Sequence, residues 1–372
     1  MIYADNAATT KLCERAFDAM KQYLLEQYGN VSQPYSFSKA AKKALQSARE
    51  TIANCIGASP DEIYFTSGGT ESDNWAIKSV LFANKEKNEV IASEIEHHAV
   101  LNSCKTIQEL GVPVKYLSVN SKGIITREEL SENISDKTGL VSVMYGNNEI
   151  GTIEPVAELS EIAHANGALF HTDAVQAIGH IPINVHEDGV DLLSSSAHKF
   201  NGPKGIGFLY IHNGVHIHPY ADGGGQEEGL RAGTENIASI VGMAEALKFN
   251  TDRMRTSESK LQSLEDILLS DLRKSNLDFI RNGSEYHLPG NISLSFLRAN
   301  GEMLLHRLDL MGICISTGSA CDSVNTQVSH VIKAIGIPAD YAEGTIRITF
   351  GPENTISEAI EIADALKKVL IK

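Results

Sequence analysis

Short apolar runs alternate with helix-compatible segments between about residues 63 and 211. The runs are IYFTSG, VIASEIEH, VKYLSV, LVSVMYG, ALFHTD, LLSSSAH and GIGFLYI. Several are apolar without strict alternation, as strands buried on both faces of a mainly parallel sheet must be. The pattern predicts βαβ units and a layered α/β domain. From Arg253 to Lys274 the chain turns charged, and Leu261, Leu264, Leu268 and Leu272 recur at helical spacing. That spacing predicts a long amphipathic helix leaving the large domain. Beyond it, NISLSF, TIRITF and a helix opened by the capping-box pair Thr355 and Glu358 predict a smaller α+β unit. The boundary is placed near residue 250: a large domain over 13–250, and a small one formed by 1–12 with 251–372.

The 372 residues suffice for a large core without covalent staples. No apolar run approaches the roughly 18 residues of a membrane span. The opening MIYADNAATT has neither a basic nor an apolar leader region, so a cytoplasmic location is the default expectation. With 32 Lys and Arg against 47 Asp and Glu, the formal charge of −15 argues against a nucleic-acid surface as the main partner, and the lack of a long apolar run argues against a membrane partner. Five cysteines without a CxxC pair indicate neither a disulfide framework nor a zinc knuckle, and no metal centre is expected.

In open parallel sheets, ligands collect beyond the carboxyl ends of strands. Five such ends carry polar residues. In IYFTSGGTES, Ser67, Gly68, Gly69 and Thr70 precede a helix; glycines, amides and hydroxyls there suit a phosphate, although a plain helix cap has the same composition. The segment matches neither the mononucleotide nor the dinucleotide glycine pattern. In ALFHTDAVQAIG, Asp173 ends a strand and needs a cation if buried, while Gln176 follows it closely. In SSSAHKFNGPKG, Lys199 follows a strand of small residues; an enclosed lysine can lose its proton and form a Schiff base with an aldehyde. SEIEHHAV offers His97 or His98 as an acid, a base or a stacking ring. MYGNNEIG offers Asn147 and Asn148 as hydrogen-bond donors. Together these groups suit pyridoxal 5'-phosphate.

The motifs DNAATT, TSGGTES, EHHAV, NNEIG, TDAVQ, SAHKFNGPKG, GGGQEEGLRAGTEN, STGSAC and IRITFG occur in this order over nearly the whole chain. In them the sequence closely resembles the NifS/IscS-like cysteine desulfurases of the class V branch of the aspartate-aminotransferase fold. The resemblance implies fold type I, pyridoxal phosphate and conversion of L-cysteine to L-alanine. It also implies a homodimer that passes sulfur to an acceptor protein for iron–sulfur cluster assembly, thio-cofactor synthesis or tRNA thiolation.

By the same resemblance, Lys199 would carry the Schiff base, Asp173 would hold the ring nitrogen and Gln176 the ring oxygen. Gly69, Thr70, Ser196 and His198 would surround the phosphate, and Thr234 would reach the phosphate of the neighbouring subunit. His97 would stack on the ring and move protons. Arg347 would clamp the substrate carboxylate, with Asn148 and Asn30 assisting. Cys321, in a loop-like segment, would receive the sulfur as a persulfide; Cys55 and Cys314 lie in apolar contexts suited to packing, and Cys13 and Cys104 match nothing in the family.

Two departures stand out. The family's GNPSSxHxxG reads GNVSQPYSFS here, with Tyr35 at the histidine and Ser38 at the glycine, and Glu228 replaces a common arginine. An altered ion-pair network is expected around Glu228. The competing activities are a selenocysteine lyase or another class V β-eliminating enzyme, for which Cys321 would be dispensable. A non-enzymatic binding module of the sulfur pathway is the remaining alternative.

Overall fold

The computed structural model describes residues 1–82, 86–317 and 328–371. All seven apolar runs become strands of one sheet. Its spatial order is Ile63–Thr66, Gly207–Ile211, Leu192–Ser196, Leu169–Asp173, Thr138–Ser142, Glu89–Ser93 and Val114–Leu117. Pairings from Leu192–Ser196 outward to Val114–Leu117 are parallel, and Gly207–Ile211 runs antiparallel to both its neighbours. The strands Leu192–Ser196 and Gly207–Ile211 are buried along their whole length. Helices cover both faces, which explains why these runs are not strictly alternating. The α/β, mainly parallel architecture of fold type I is therefore present.

The long helix begins earlier than its charged stretch suggests. It spans Ile237–Arg273, and Asn236 caps it by accepting from the Ser239 amide at 3.2 Å. Its first half is apolar, with Ile240, Met243 and Leu247 in the core of the large sheet domain. Its second half buries Leu261, Leu264, Leu268 and Leu272 in another hydrophobic cluster with Ile292, Leu294, Ile346, Ile348 and Leu366. One helix thus serves two cores, and the amphipathic signal is visible only where one of its faces meets water.

The second cluster covers a three-stranded antiparallel sheet in the order Thr345–Thr349, Asn291–Phe296, Phe279–Arg281. The capping box forms at the last helix, Ile356–Leu370: Thr355 Oγ1 accepts from Glu358 N at 3.3 Å, and Thr355 N donates to Glu358 Oε2 at 2.8 Å. At the other end of the chain, Ile2 and Tyr3 pair in parallel with Ile313 and Cys314, and Asn6 N donates to Thr349 O. This brings Ala7 and Ala8 over the carboxyl ends of the large sheet.

Candidate active site

The carboxyl ends of the central strands open into a cavity of about 320 Å³. Its lining holds Gly69, Thr70, His97, Asn148, Asp173, Gln176, Ser196, His198, Lys199 and Arg347, together with Ala7, Ala8, Asp73, Met144 and Val175. Ten of the thirteen residues singled out in the sequence therefore face one space.

Asp173 is the last residue of its strand, and its Oδ1 accepts from Val175 N at 2.9 Å. Burial pushes its carboxyl above the usual range, against the pull of His97 and Lys199. Lys199 follows the strand Leu192–Ser196 through one tight turn and donates its Nζ to Ala7 O at 2.5 Å and Ala8 O at 2.9 Å. Gln176 Nε2 donates to the same Ala7 carbonyl at 2.9 Å. The N-terminal segment therefore forms the wall facing Asp173.

His97 caps the helix His98–Glu109, with Nδ1 accepting from Ala99 N at 3.2 Å. That bond places the proton of the neutral ring on Nε2. Burial, reinforced by Lys199, holds His97 below the ordinary histidine value despite the opposing pull of Asp173. His98 does not line the cavity; its ring lies edge-on to His330 at 5.1 Å. Asn147 is fully buried and spends its amide on structure, donating to Ile95 O and accepting from Glu149 N and Ile150 N. Asn148 is the member of the pair that reaches the site.

At one end of the cavity, Gly68 adopts φ +147° as the cap of the helix Gly69–Lys78 and offers no side-chain capping bond. A Cβ on Gly69 would lie 2.6 Å from Val175 Cγ2. A second, more open hollow shares Gly69, Thr70, Ser196 and His198 and adds Thr9, Ser67 and Lys204. Amides at a helix start, hydroxyls and a lysine are the donors a phosphate dianion requires. Burial, followed by Lys199 and Lys204, lowers His198 to about 4, and its Nδ1 lies 3.1 Å from Thr9 Oγ1. At the other end, Arg347 Nη1 donates to Asn148 O at 2.8 Å and Nη2 to Asp5 Oδ1 at 2.7 Å, while its buried Nε has no partner among the described residues.

Two candidates fall elsewhere, and a third lies outside the described residues. Asn30 is exposed and bonds Ser32 N through its own Oδ1 at 2.8 Å. Thr234 is exposed and absent from the cavity lining; its loop is held through Arg231, which donates to Glu71 Oε1 at 2.8 Å. Cys321 lies outside the described residues. Cys55 and Cys314 are half-buried and Cys104 is buried. Glu228 is exposed in a left-handed conformation beside Glu227, which is buried and paired with Arg49 at 2.8 Å.

Sequence reading missed Asp73. It is buried, lines the cavity and has an Oδ1 without a hydrogen-bond partner among the described residues. Donor atoms of Asp73, His97 and Asp173 lie within 4.8 Å of one another. Burial and the neighbouring Asp173 push its carboxyl well above the usual range. The available signal was its spacing: Asp73 stands one helical turn after Gly69 and so shares its face. Asp5 was missed for a different reason, because its partner Arg347 is joined to it only by the tertiary fold.

Residues 2–361 match the family model "Aminotransferase class-V". The chain is 47% identical over 373 residues to "Cysteine desulfurase IscS" of Dictyoglomus turgidum, covering 100% of this chain and 95% of that protein. It is 44% identical to the protein of the same description from Methanosarcina thermophila, covering 100% and 92%. Among solved structures, "NIFS-LIKE PROTEIN" superposes with a TM-score of 0.93 at 38% identity, covering 99% of each chain. "SspA in complex with cysteine" superposes with a TM-score of 0.85 at 34% identity, covering 95% of this chain and 100% of the other. A match that runs through every wall of the cavity places the chain in the aminotransferase class-V family.

Proposed function

We propose that the protein is a pyridoxal-phosphate-dependent cysteine desulfurase, converting L-cysteine to L-alanine and leaving the sulfur on Cys321 as a persulfide. The observation that carries this reading is the cavity itself: a lysine amine and a guanidinium face one space with a buried carboxylate at its floor. The residues fit the cofactor on their own chemistry. Gly68 and Gly69 let the backbone pack closely against Ser196 and Val175 at the cavity wall, where a Cβ on Gly69 would collide with Val175, and the helix start there lacks a side-chain cap. Asp173 is a buried acid in need of a cation.

In this reading Lys199 holds the cofactor aldehyde, Asp173 its ring nitrogen and Gln176 its ring oxygen. Gly69, Thr70, Ser196 and His198 surround the phosphate. When bound, pyridoxal phosphate supplies an electron sink at the substrate α-carbon. Arg347, aimed by Asp5 and the Asn148 carbonyl, binds the substrate carboxylate with its remaining donors. Lys199 and His97 move protons, and burial keeps the His97 ring neutral and ready to accept one. In the net conversion the substrate carbon–sulfur bond breaks, a sulfur–sulfur bond forms on Cys321, and a proton at carbon completes alanine.

A homodimer completes the site through Thr234, whose exposure on its own chain leaves it available to a neighbour. The apolar surface of Phe17, Leu24, Leu25, Tyr28, Tyr35 and Phe37 suits such a contact. Asn30 lies in this region, so its contribution to substrate binding is proposed across the dimer. The units 13–250 and 1–12 with 251–372 remain the proposed domains; the two separate hydrophobic clusters support the division. A cytoplasmic enzyme with a protein sulfur acceptor follows as part of the same reading. No described helix is long and apolar enough to cross a membrane.

Incubation with L-cysteine followed by mass spectrometry tests the proposal. One added sulfur on Cys321 and stoichiometric alanine are expected, and Cys321→Ser loses both. Full alanine production by Cys321→Ser would favour the β-eliminating alternative. Absence of a borohydride-trapped cofactor on Lys199 would favour a non-enzymatic module.

A further inference from the structure

At the opposite, amino-terminal end of the large sheet three segments converge. Glu62 precedes the strand Ile63–Thr66, His212 follows Gly207–Ile211, and His186 sits in the turn over 185–189 that leads to Leu192–Ser196. Glu62 is buried, and both its oxygens are fixed by backbone amides: Oε2 accepts from Ser59 N and Oε1 from Asn213 N, each at 2.8 Å. A buried carboxylate needs a cation. Among the described residues, the ion-pair partner of Glu62 is His186, whose Nε2 lies 3.4 Å from Oε2.

The His186 and His212 rings stand 5.6 Å apart at 77°, and one donor atom from each of Glu62, His186 and His212 lies within 4.8 Å of the others. A second observation points the same way. The buried Tyr210 hydroxyl has no partner among the described residues, and its ring meets that of His186 edge-on at 6.3 Å. The cluster therefore combines a preset carboxylate, two imidazoles and an unsatisfied hydroxyl.

We propose that Glu62, His186 and His212 form a binding site for one zinc-type divalent cation, remote from the catalytic cavity. Two imidazoles with one carboxylate are a zinc donor set that leaves a fourth position for water, and imidazole donors disfavour magnesium and calcium. Ligand atoms around tetrahedral zinc stand about 3.3 Å apart, so the imidazoles must draw inward. His186 can do this, being 44% exposed at its side chain. The ion would tie the turn before one strand to the end of its neighbour and to the turn feeding a third. Its role is to clamp this end of the sheet and not to take part in chemistry at Lys199.

Zinc binding by the holoenzyme carrying Cys321→Ser, which removes a competing thiol, tests the site by equilibrium dialysis and thermal unfolding. About one zinc per chain and a higher melting temperature in its presence are expected. His186→Ala and His212→Ala, made separately in that background, should each weaken binding about tenfold or more and abolish the thermal shift. The same two variants with Cys321 intact should keep their turnover of L-cysteine. Because Glu62 also caps its turn, the decision rests on the two histidines. Retention of parental zinc affinity by both histidine variants, or no zinc on the parent, overturns the proposal; neither result bears on the proposed desulfurase activity.

Discussion

Arg347 Nη2 donates to Asp5 Oδ1 at 2.7 Å, joining residues 342 positions apart in the chain across the mouth of the cavity. Arg347 sits mid-strand on Thr345–Thr349 and is almost fully buried, so this partner offsets the cost of burying its charge. The pair also ties the N-terminal segment to the strand that carries the proposed substrate clamp. Arg347→Ala should lower kcat/KM for L-cysteine by about 30-fold or more, the equivalent of about 2 kcal/mol for a buried charge pair broken on one side. Arg347→Lys should recover little, since lysine cannot reproduce the planar fork. Asp5→Asn should raise KM more than it lowers kcat, because the chemistry at Lys199 does not touch Asp5. Steady-state kinetics separate the two parameters.

Asp73 and Asp173 share one buried region, and two adjacent carboxylates there do not both ionise. Burial acts on both, but only Asp173 has Lys199 and His97 pulling it back toward the charged form. Asp73 is therefore the member that keeps its proton. Asp173→Asn removes a charge and should lower kcat by about 100-fold or more. Asp73→Asn replaces a neutral acid with a neutral amide and should stay within about tenfold of the parent. Similar losses from the two variants, measured as alanine formation, would assign the charge differently.

The contrast between these two acids shows what a linear reading can reach. Asp173, Lys199 and Ser196 stand at or just beyond the carboxyl ends of apolar strands, where position alone marks them as facing the ligand side. Asp73 lies inside a helix whose polar residues read as surface, and only tertiary packing turns its face inward. The residues alone left Asn147 and Asn148 equivalent, and only the family resemblance pointed to Asn148; in the fold the difference is that the Ile95 carbonyl claims the Asn147 amide. The start of the long helix escaped for an energetic reason: Ile237 to Leu247 is apolar enough to be buried broadly, so it lacks the one-sided periodicity that marked Leu261 to Leu272. The zinc-type cluster has no sequence signature, because its three ligands come from separate segments.

His171 provides a pH-dependent term in stability. It lies fully buried between Ser142 Oγ, 2.8 Å from Nδ1, and Ser194 Oγ, 3.0 Å from Nε2. Burial lowers its pKa from 6.5 to about 3. Between those values the unfolded chain binds a proton that the native state refuses, so stability falls as pH falls through this window. Above 6.5 the contribution is complete. The slope from this one group approaches about 1.4 kcal/mol per pH unit. His171→Gln, which keeps a polar side chain without the titration, should flatten the dependence of the urea midpoint between pH 6.5 and 4 by about one proton per chain. An unchanged slope would mean that His171 is already protonated in the native protein.

Gly207 opens the antiparallel strand and packs against Gly68, at the end of the cavity proposed to hold the phosphate. A Cβ there would collide first with the Ser195 carbonyl oxygen of the paired strand and would come within 2.7 Å of Gly68 Cα and 3.1 Å of Gly68 C, all backbone atoms that cannot rotate aside. Gly68 is itself held at φ +147°, a conformation that only glycine adopts without strain. Gly207→Ala must therefore displace the Gly68–Gly69 turn or the strand, at a cost of about 1–3 kcal/mol for overpacking. Since that turn starts the helix that carries Thr70, the variant should also release the proposed cofactor, pyridoxal phosphate, more readily on dialysis. Gly225→Ala is the matched control: nothing lies within 4 Å of its Cβ position, and its φ of −82° suits alanine. It should change stability by less than about 0.5 kcal/mol and leave cofactor retention unaltered. Equal behaviour of the two variants would remove steric contact with the Ser195 and Gly68 backbone as the reason for glycine at position 207.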